Sequence, residues 1–594
     1  MTPTIRFGRT LLAILALLAL VASSCGDDDD TTATGGDDTT EAEATDESDE
    51  PADGADSETT DESDDEAASE TTDEDGAAAG QSVERLRLAG GDFGYPSPFA
   101  WVRGPGWIQA GYIFDTLLWL DSTGAFIPWL ATEWSASEDG TEWRFTLNPA
   151  ATWHDGEPVT ADDVVFTYEY MTTGAGSGKG SFAAAGLQQV ATVTAEGDHE
   201  VVFVMKQPYA AFEEDVAASV LILPQHIWAG IDDPAEQRGP DATMGSGPYI
   251  LESADPASGS YLYTANEAFH VGSPVVKRLE FVPVNDELLA VQTGEVDAAE
   301  IGLEQPIPEE QMEAFESDDA LGMIQAAGDW NRALHFNLAA GFPYNDIRFR
   351  HAVAYAIDRP DLVDRILFGR GEPASLGGLA PTHPFIADDL PTYEHDVEEA
   401  NRLLDEVGLV DADGDGIRDL PDGTTFNPQL KASQRFSPDT PQLIREYLLE
   451  VGLEVEVVIL DRASADEAGV QGDYTLQLHG YGNIGGDPDW LRQRFTEPAN
   501  QGLFFRSWGF ENERFDELAA AQLATLDPVA RKELVVEMQE ILAEEVPVLP
   551  LYVPDRVLFY DIDTFTNWYY TPGCAPCRGS RNKHMYVTGM TGGF

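Results

Sequence analysis

Lysine is scarce. Six occur in 594 residues, and lysine plus arginine reach only 33 against 107 acidic residues. The formal charge of −74 excludes nucleic acid as a partner, because phosphates demand a basic surface. Anionic membrane surfaces are disfavoured on the same ground. There are three cysteines, too few for a zinc ribbon, which needs two thiol pairs. No HExxH, GxSxG or P-loop motif occurs, which removes the commonest hydrolase and nucleotide signatures. The apolar run "LLAILALLALVA" is also too short to span a bilayer, since a spanning helix needs about twenty such residues.

What is present orders the chain. Arg6 and Arg9 precede that short apolar run, and small residues lead to Cys25; this is the layout of a secretory signal over 1–24. The stretch resembles a bacterial lipoprotein signal, which implies that Cys25 is the lipidated mature N-terminus and that the protein is anchored to the extracytoplasmic face of the cell membrane. Ala22 departs from the Leu usual at that position. Residues 26–80 hold 24 acidic residues and no basic one. Such a segment cannot bury enough apolar surface to order itself. It reads as a tether over 25–80, extended by self-repulsion beyond the roughly 40 Å of a neutral coil. Beyond it, 31 basic residues face 83 acidic ones, a solubility or habitat signature rather than a binding site.

From Ser82 onward short apolar strands mix with amphipathic helices, which predicts an α/β architecture. "YTLQLHGY" (474–481) alternates as a strand with one buried face, and "EVEVVIL" (454–460) is another strand. "VEEANRLLDEVG" sets Val397, Ala400, Leu404 and Val407 on one helical face, with Gly408 as the C-terminal cap. "DPVARKELVVEMQEIL" starts on Asp527 as N-cap with Pro528 at the first position, then buries Val535, Met538 and Ile541 or Leu542. "VLPLYVP" is extended.

The stretch "TWHDGEPVTADDVVFTYEYM" (152–171) holds His154, Asp155, Asp162 and Asp163, a set that could be an acid–base or metal site. Local chemistry explains it better. Trp143, Phe145 and Leu147 alternate as a strand, Asp155-Gly156 turns the chain, and Thr160 stands three residues before Asp163 as a capping box opening a helix. No catalytic residue is assigned.

The segment "EWRFTLNPAATWHDGEPVTADDVVFTYEYM" resembles the signature region of the family 5 extracellular solute-binding proteins, the oligopeptide, dipeptide and nickel receptors of ATP-binding-cassette importers. Further segments resemble that family in order: "IPWLATEWSASEDG", "GSGPYIL", "NEAFHVGSPVVKRLEFVPV", "TGEVDAAEI", "FNLAAGFPYNDIRFRHAVAYAIDRPDLVDRILFGRGEPAS", "YEHDVEEANRLLDEVGL" and "GDPDW". The resemblance covers about 85–560. It implies a two-lobed, type II periplasmic-binding-protein-like α/β fold with the extra subdomain of the peptide-binding class. On that pattern lobe I comprises 81–125, 241–329 and 551–594, the extra subdomain 126–240, and lobe II 330–550. A peptide or similar small organic solute would bind between the lobes and pass to a membrane permease and its ATPase. The receptor would act as a monomer, make or break no bond, and contact no nucleic acid. A secreted hydrolase or a signalling receptor on the same fold is the alternative.

Candidate ligand contacts follow from the same resemblance. The loop "YGNIGGDPDW" offers Tyr481, Asn483, Asp487 and Trp490; in peptide-binding members an acidic residue there pairs with the ligand's amino group, and this chain has Ile484 at that position. Asp487 either substitutes for it or builds the turn. Trp330 and Asn331 stand at the lobe crossing, and Tyr95 and Trp101 in the first loop of lobe I; each is a ligand contact or core. "DADGDGIRDLPD" resembles a calcium loop, with Asp411, Asp413, Asp415, Asp419 and Asp422 as ligands, the alternative being a solvated acidic turn. No cofactor is required, and a structural calcium is admitted at this loop. Cys574 and Cys577, in "CAPC", suit a local disulfide outside the cytoplasm.

Overall fold

The structure is a computed structural model. It describes residues 82–100, 106–177, 184–302, 307, 309–434, 436–482, 484–497, 499, 506–571 and 582–589. The signal, Cys25, the tether, Trp101, Asn483, Cys574 and Cys577 lie outside the described residues. No helix among the described residues is long and apolar enough to cross a membrane.

Two large sheets divide the molecule. The seven-stranded sheet draws on Leu86–Ala89, Tyr249–Asp255, Ser260–Ala265, Arg278–Val282, Ala298–Gly302, Leu321–Ala326 and Arg556–Asp561. The six-stranded sheet contains Trp330–Phe336, Gly371–Pro373, Gln429–Ser433, Glu456–Leu460, Leu476–Gly482 and Val548–Pro554. These sheets define the first and second lobes. A separate antiparallel sheet of Ala131–Ala136, Glu142–Leu147, Val190–Ala195 and Glu200–Met205 forms the extra subdomain.

The cores follow the same division. One apolar cluster runs from Leu86 through Trp129, Phe145, Phe203 and Trp228 to Tyr261, Phe281 and Tyr586, so the first lobe and the subdomain share a core. The second lobe has its own clusters, one around Phe349, Leu404 and Leu551, the other around Tyr481, Phe515 and Met538. Close-packed bodies with separate cores move against one another more readily than either deforms.

The chain crosses between these lobes twice, once after Ala326 and once between Pro554 and Arg556. The second crossing corrects the boundary expected at 551. Leu551–Pro554 stays in the second lobe, because Val548–Pro554 is buried throughout and pairs with both Trp330–Phe336 and Gly371–Pro373. Its Pro550 faces an irregularity in the register at Arg332/Ala333, as expected of a residue with no N–H to donate.

Local signals account for the helices. Val397–Val407 is capped by the Asp396 carboxylate and ends on Gly408 at φ 94°, the left-handed conformation that glycine adopts without steric cost. Pro528–Glu545 starts from Asp527, whose side chain accepts from the Ala530 N–H, and buries Val535, Met538 and Leu542. Leu476–Gly482 differs from expectation: it is buried on both faces, with Leu476 and Leu478 joining one apolar cluster and Tyr481, on the opposite face, joining another.

The stretch 152–171 is a capped turn and helix. Asp163 Oδ2 accepts from the Thr160 backbone N–H at 2.9 Å and from its hydroxyl at 3.1 Å, while Oδ1 accepts from Gln225 N–H at 2.9 Å. His154 donates from Nε2 to the Gly247 carbonyl at 3.0 Å, and its backbone N–H reaches Gly245 O at 2.8 Å, pinning the subdomain to the first lobe. Burial holds this imidazole below its usual pKa. Asp163→Ala is expected to destabilise the protein by about 1–3 kcal/mol, read as a lowered denaturation midpoint with an unchanged slope.

Candidate functional site

The lobe crossing and the carboxyl ends of Gln429–Ser433 and Leu476–Gly482 lie together, where open α/β sheets place ligands. Trp330 pairs with Gly482, and Arg332 with Gly480. Both glycines are needed there: a Cβ on Gly482 would lie 2.3 Å from the Trp330 ring, and one on Gly480 would lie 2.6 Å from Trp330 Nε1 and 2.9 Å from an Arg332 guanidinium nitrogen. They leave a shelf on which the indole and the guanidinium rest. Arg332 also stacks over Phe436 at 4.7 Å, just beyond the end of the neighbouring strand. Sequence reading missed Arg332; its signal was the two-residue spacing from Trp330, which places both side chains on one face.

Asn331 and Tyr481 point to the other face and are buried. Asn331 Oδ1 accepts from Tyr481 N–H at 3.4 Å. The Arg494 guanidinium lies 3.5 Å over the Tyr481 ring, and Trp490 approaches the same ring at 6.4 Å. Burial pushes Arg494 down to about 10. Ile484, at the position where peptide receptors carry an acid, is 1% exposed and packs in the same core. Its carbonyl accepts from Ala380 N–H at 2.8 Å, and its N–H reaches Asp329 O at 3.4 Å, tying the loop to the crossing.

Asp487 is engaged by protein. Its two oxygens take Arg531 nitrogens at 2.8 and 2.5 Å, and Oδ1 also accepts from Asp489 N–H at 2.8 Å. The fully buried Asp489 pairs with Arg492 through both oxygens at 2.6 Å and takes Gln522 at 2.7 Å. The loop thus builds a turn and an ion-pair lattice under the crossing. Tyr95 sits elsewhere: its hydroxyl donates to Gly239 O at 3.2 Å and accepts from Gly239 N–H at 2.9 Å, with Arg238 over its ring at 5.4 Å. It fastens the first lobe to the end of the subdomain. A separate groove of about 610 Å³ opens at the opposite end of the second lobe's strands, against Asn337, Lys431, Asp473 and Trp508.

The acidic loop brings together three of its five carboxylates. Donor atoms of Asp411, Asp413 and Asp415 lie within 4.8 Å of one another and are exposed. Asp419 and Asp422 are not in that group, which corrects the five-ligand set. Asp419 is buried in bridges to Val410 and Thr425, so its carboxylate accepts from Ala412 N–H at 3.1 Å. Asp422 accepts from Thr424 N–H at 2.9 Å. Backbone amides also occupy the other three, with Asp411 accepting from Gly414 and Gly416.

The Asp487–Arg531 pair allows a direct test. Asp487→Ala leaves the Arg531 charge buried and is expected to cost about 3 kcal/mol or more, and adding Arg531→Met should recover much of that. Thermal melts of the two single variants and the double variant measure the coupling.

The chain resembles known proteins over most of its length. The model of "Bacterial extracellular solute-binding proteins, family 5 Middle" matches residues 125–502. The oligopeptide-binding protein AppA of Bacillus subtilis is 25% identical over 70% of this chain and 76% of its own. Protein XP55 of Streptomyces lividans is 30% identical over 73% of this chain and 77% of its own. Among solved structures, the periplasmic binding protein DppA of Helicobacter pylori, held with the peptide STSA, superposes with a TM-score of 0.70 at 19% identity, covering 83% of this chain and 96% of that one. The fold is therefore that of the two-lobed type II periplasmic binding proteins with the peptide-class subdomain. The matched span takes in the subdomain sheet and most of the second lobe, and the chain belongs to the family 5 bacterial extracellular solute-binding proteins.

Proposed function

We propose that this protein captures a peptide or a similar small organic solute between its two lobes and delivers it, chemically unchanged, to a membrane permease driven by an ATPase. The observation that carries the reading is mechanical. Two bodies, each built on its own apolar core and meeting at Leu523, are joined by two crossing strands, and Trp330, Arg332 and the loop after Gly482 stand at that joint. Closing such bodies around a solute buries it in a slot lined by aromatic faces with a few polar edges. Oligopeptide-, dipeptide- and nickel-binding relatives support the transport role. The reading extends to a monomer held at the extracytoplasmic face of the membrane by lipid on Cys25, with the acidic tether keeping the body clear of the bilayer.

Mass spectrometry of what the purified protein releases on denaturation tests this. About one equivalent of an organic solute or short peptide is expected. Recovery of a metal chelate alone would move the protein to the nickel-type branch. Incubating the protein with that solute should return it intact, and conversion to a product would make it a hydrolase.

A further inference from the structure

Away from the two crossing strands, the subdomain touches the second lobe through a cluster of ionisable groups. On the subdomain side stand Tyr209, Glu213 and Asp215. The second lobe brings Asp487, Asp489 and Arg492 from the loop and helix after Gly482, and Arg531 from Pro528–Glu545. The contact is continuous: Ala210 N–H donates to Leu523 O at 2.8 Å, and Leu523 joins the core of the first lobe and subdomain.

Asp215 is the centre of this contact. The Tyr209 hydroxyl donates to its Oδ2 at 2.5 Å, and Gln493 Nε2 reaches the same oxygen at 3.1 Å. That Gln493 nitrogen also contacts Asp489 Oδ2 at 3.1 Å, so one amide bridges two carboxyls on opposite sides of the interface. Behind Asp215, Gly186 packs so closely that a Cβ there would stand 2.9 Å from Asp215 Cβ, and the short helix Ala184–Leu187 adds no titratable side chain. The residue keeps some exposed surface, yet its carboxyl is enclosed.

The charges around it do not balance. Asp487 is taken by Arg531 and Asp489 by Arg492. Glu213, which accepts from Trp134 Nε1 at 2.6 Å, and Asp215 have no cation of their own among the described residues. Four carboxyls therefore face two guanidiniums in an enclosed space, where an unpaired negative charge is costly and a proton removes the cost.

We propose that Asp215 is a proton-operated latch, holding the subdomain against the second lobe while its carboxyl is protonated and releasing it on ionisation. The proposal rests on the reading of two lobes that open and close. Both donors reach Oδ2, so Oδ1 is the oxygen that carries the proton. Burial first, then Asp489 and Asp487, push this carboxyl up to about 7 in the closed contact. An opened interface returns it to solvent and to the ordinary carboxylate range, so the closed form binds the extra proton. Closing is fully favoured below the ordinary carboxylate pKa and loses that advantage as pH rises to about 7, by up to about tenfold per pH unit. Because Asp487 and Asp489 belong to the loop at the crossing, the latch also couples proton uptake to the position of that loop.

Hydrogen exchange at the Ala210 amide in the full chain reads the latch without any ligand. Wild type and Asp215→Asn should protect this amide nearly equally at about pH 4, and at about pH 8 wild type should exchange at least about tenfold faster than the variant. Glu213→Gln should keep the wild-type pH response. Equal protection of wild type and Asp215→Asn at both pH values overturns the proposal, as does loss of the response in Glu213→Gln alone. If melting shows that the asparagine variant does not fold, wild type decides. Its Ala210 amide should then lose protection relative to the Leu478 core amide between those pH values, and a constant ratio overturns the latch. Recovery of no solute from the purified protein would count against the receptor reading and leave this measurement unaffected.

Discussion

Arg556 ties the two crossings together. Its guanidinium lies 3.2 Å from Asp329 on the other crossing and 3.0 Å from the buried Glu300 of the first lobe's sheet. Partial burial opposes its charge, and the two carboxylates outweigh that and raise its pKa. A buried pair of this kind adds little net stability, because desolvation offsets attraction, yet removing one partner is severe. Its value is positional. The crossings run so close that a Cβ on Gly328 would meet Pro554 O at 2.0 Å, and Gln325 donates to Asp555 at 2.6 Å. A joint this narrow confines bending to a few residues, which is what two close-packed lobes need in order to move as bodies.

The subdomain is fixed to the first lobe by different means. His154 donates across to Gly247, Tyr95 both donates to and accepts from Gly239, and one apolar core runs beneath both. The histidine and carboxylates of the 152–171 stretch are therefore spent on architecture. This makes the subdomain an arm of the first lobe, so its contact with the second lobe through Asp215 and Gln493 reports on closure. Interfaces formed by ionisable groups respond to pH in a way that apolar cores do not.

Much of the fold was legible because it is locally encoded. Asp527-Pro528, Asp396 with Gly408, and Thr160 with Asp163 announce their helices through capping chemistry that needs no distant partner. Three features were not legible. Leu476–Gly482 alternates like a half-buried strand, and its second face is buried by the cluster around Tyr481, Phe515 and Met538. Asp487 reads as an available carboxylate until Pro528–Glu545 brings Arg531 against it from 44 residues away. Asp419 has the spacing of a metal ligand but folds inward to cap Ala412. For the first two the deciding partner is remote in sequence, and Asp419 is turned inward by local bridges to Val410 and Thr425, none of which periodicity and spacing contain. The candidate site was legible as a location, through Trp330 and the glycine-rich loop, and illegible as a set of contacts.

The shortage of lysine takes on meaning once burial is known. Among the described residues the buried cations include Arg332, Arg350, Arg359, Arg418, Arg494 and Arg531, but only one lysine, Lys583. That lysine is held by the carbonyls of Gly111 and Phe114, and burial pushes it down to about 8. Arginine keeps its charge under desolvation and offers a planar fork that satisfies carboxylates and carbonyls together. Where this chain places a cation in its interior, it is nearly always an arginine that fastens one element to another. Arg531 steadies the loop, Arg494 supports Tyr481, and Arg350 reaches the Glu545 carbonyl at 2.8 Å. Arg332 is the exception in placement, since it shares the Trp330 face at the ends of the central strands. In so acidic a protein, a fixed positive charge at that position sets the local field far more than the surface total does.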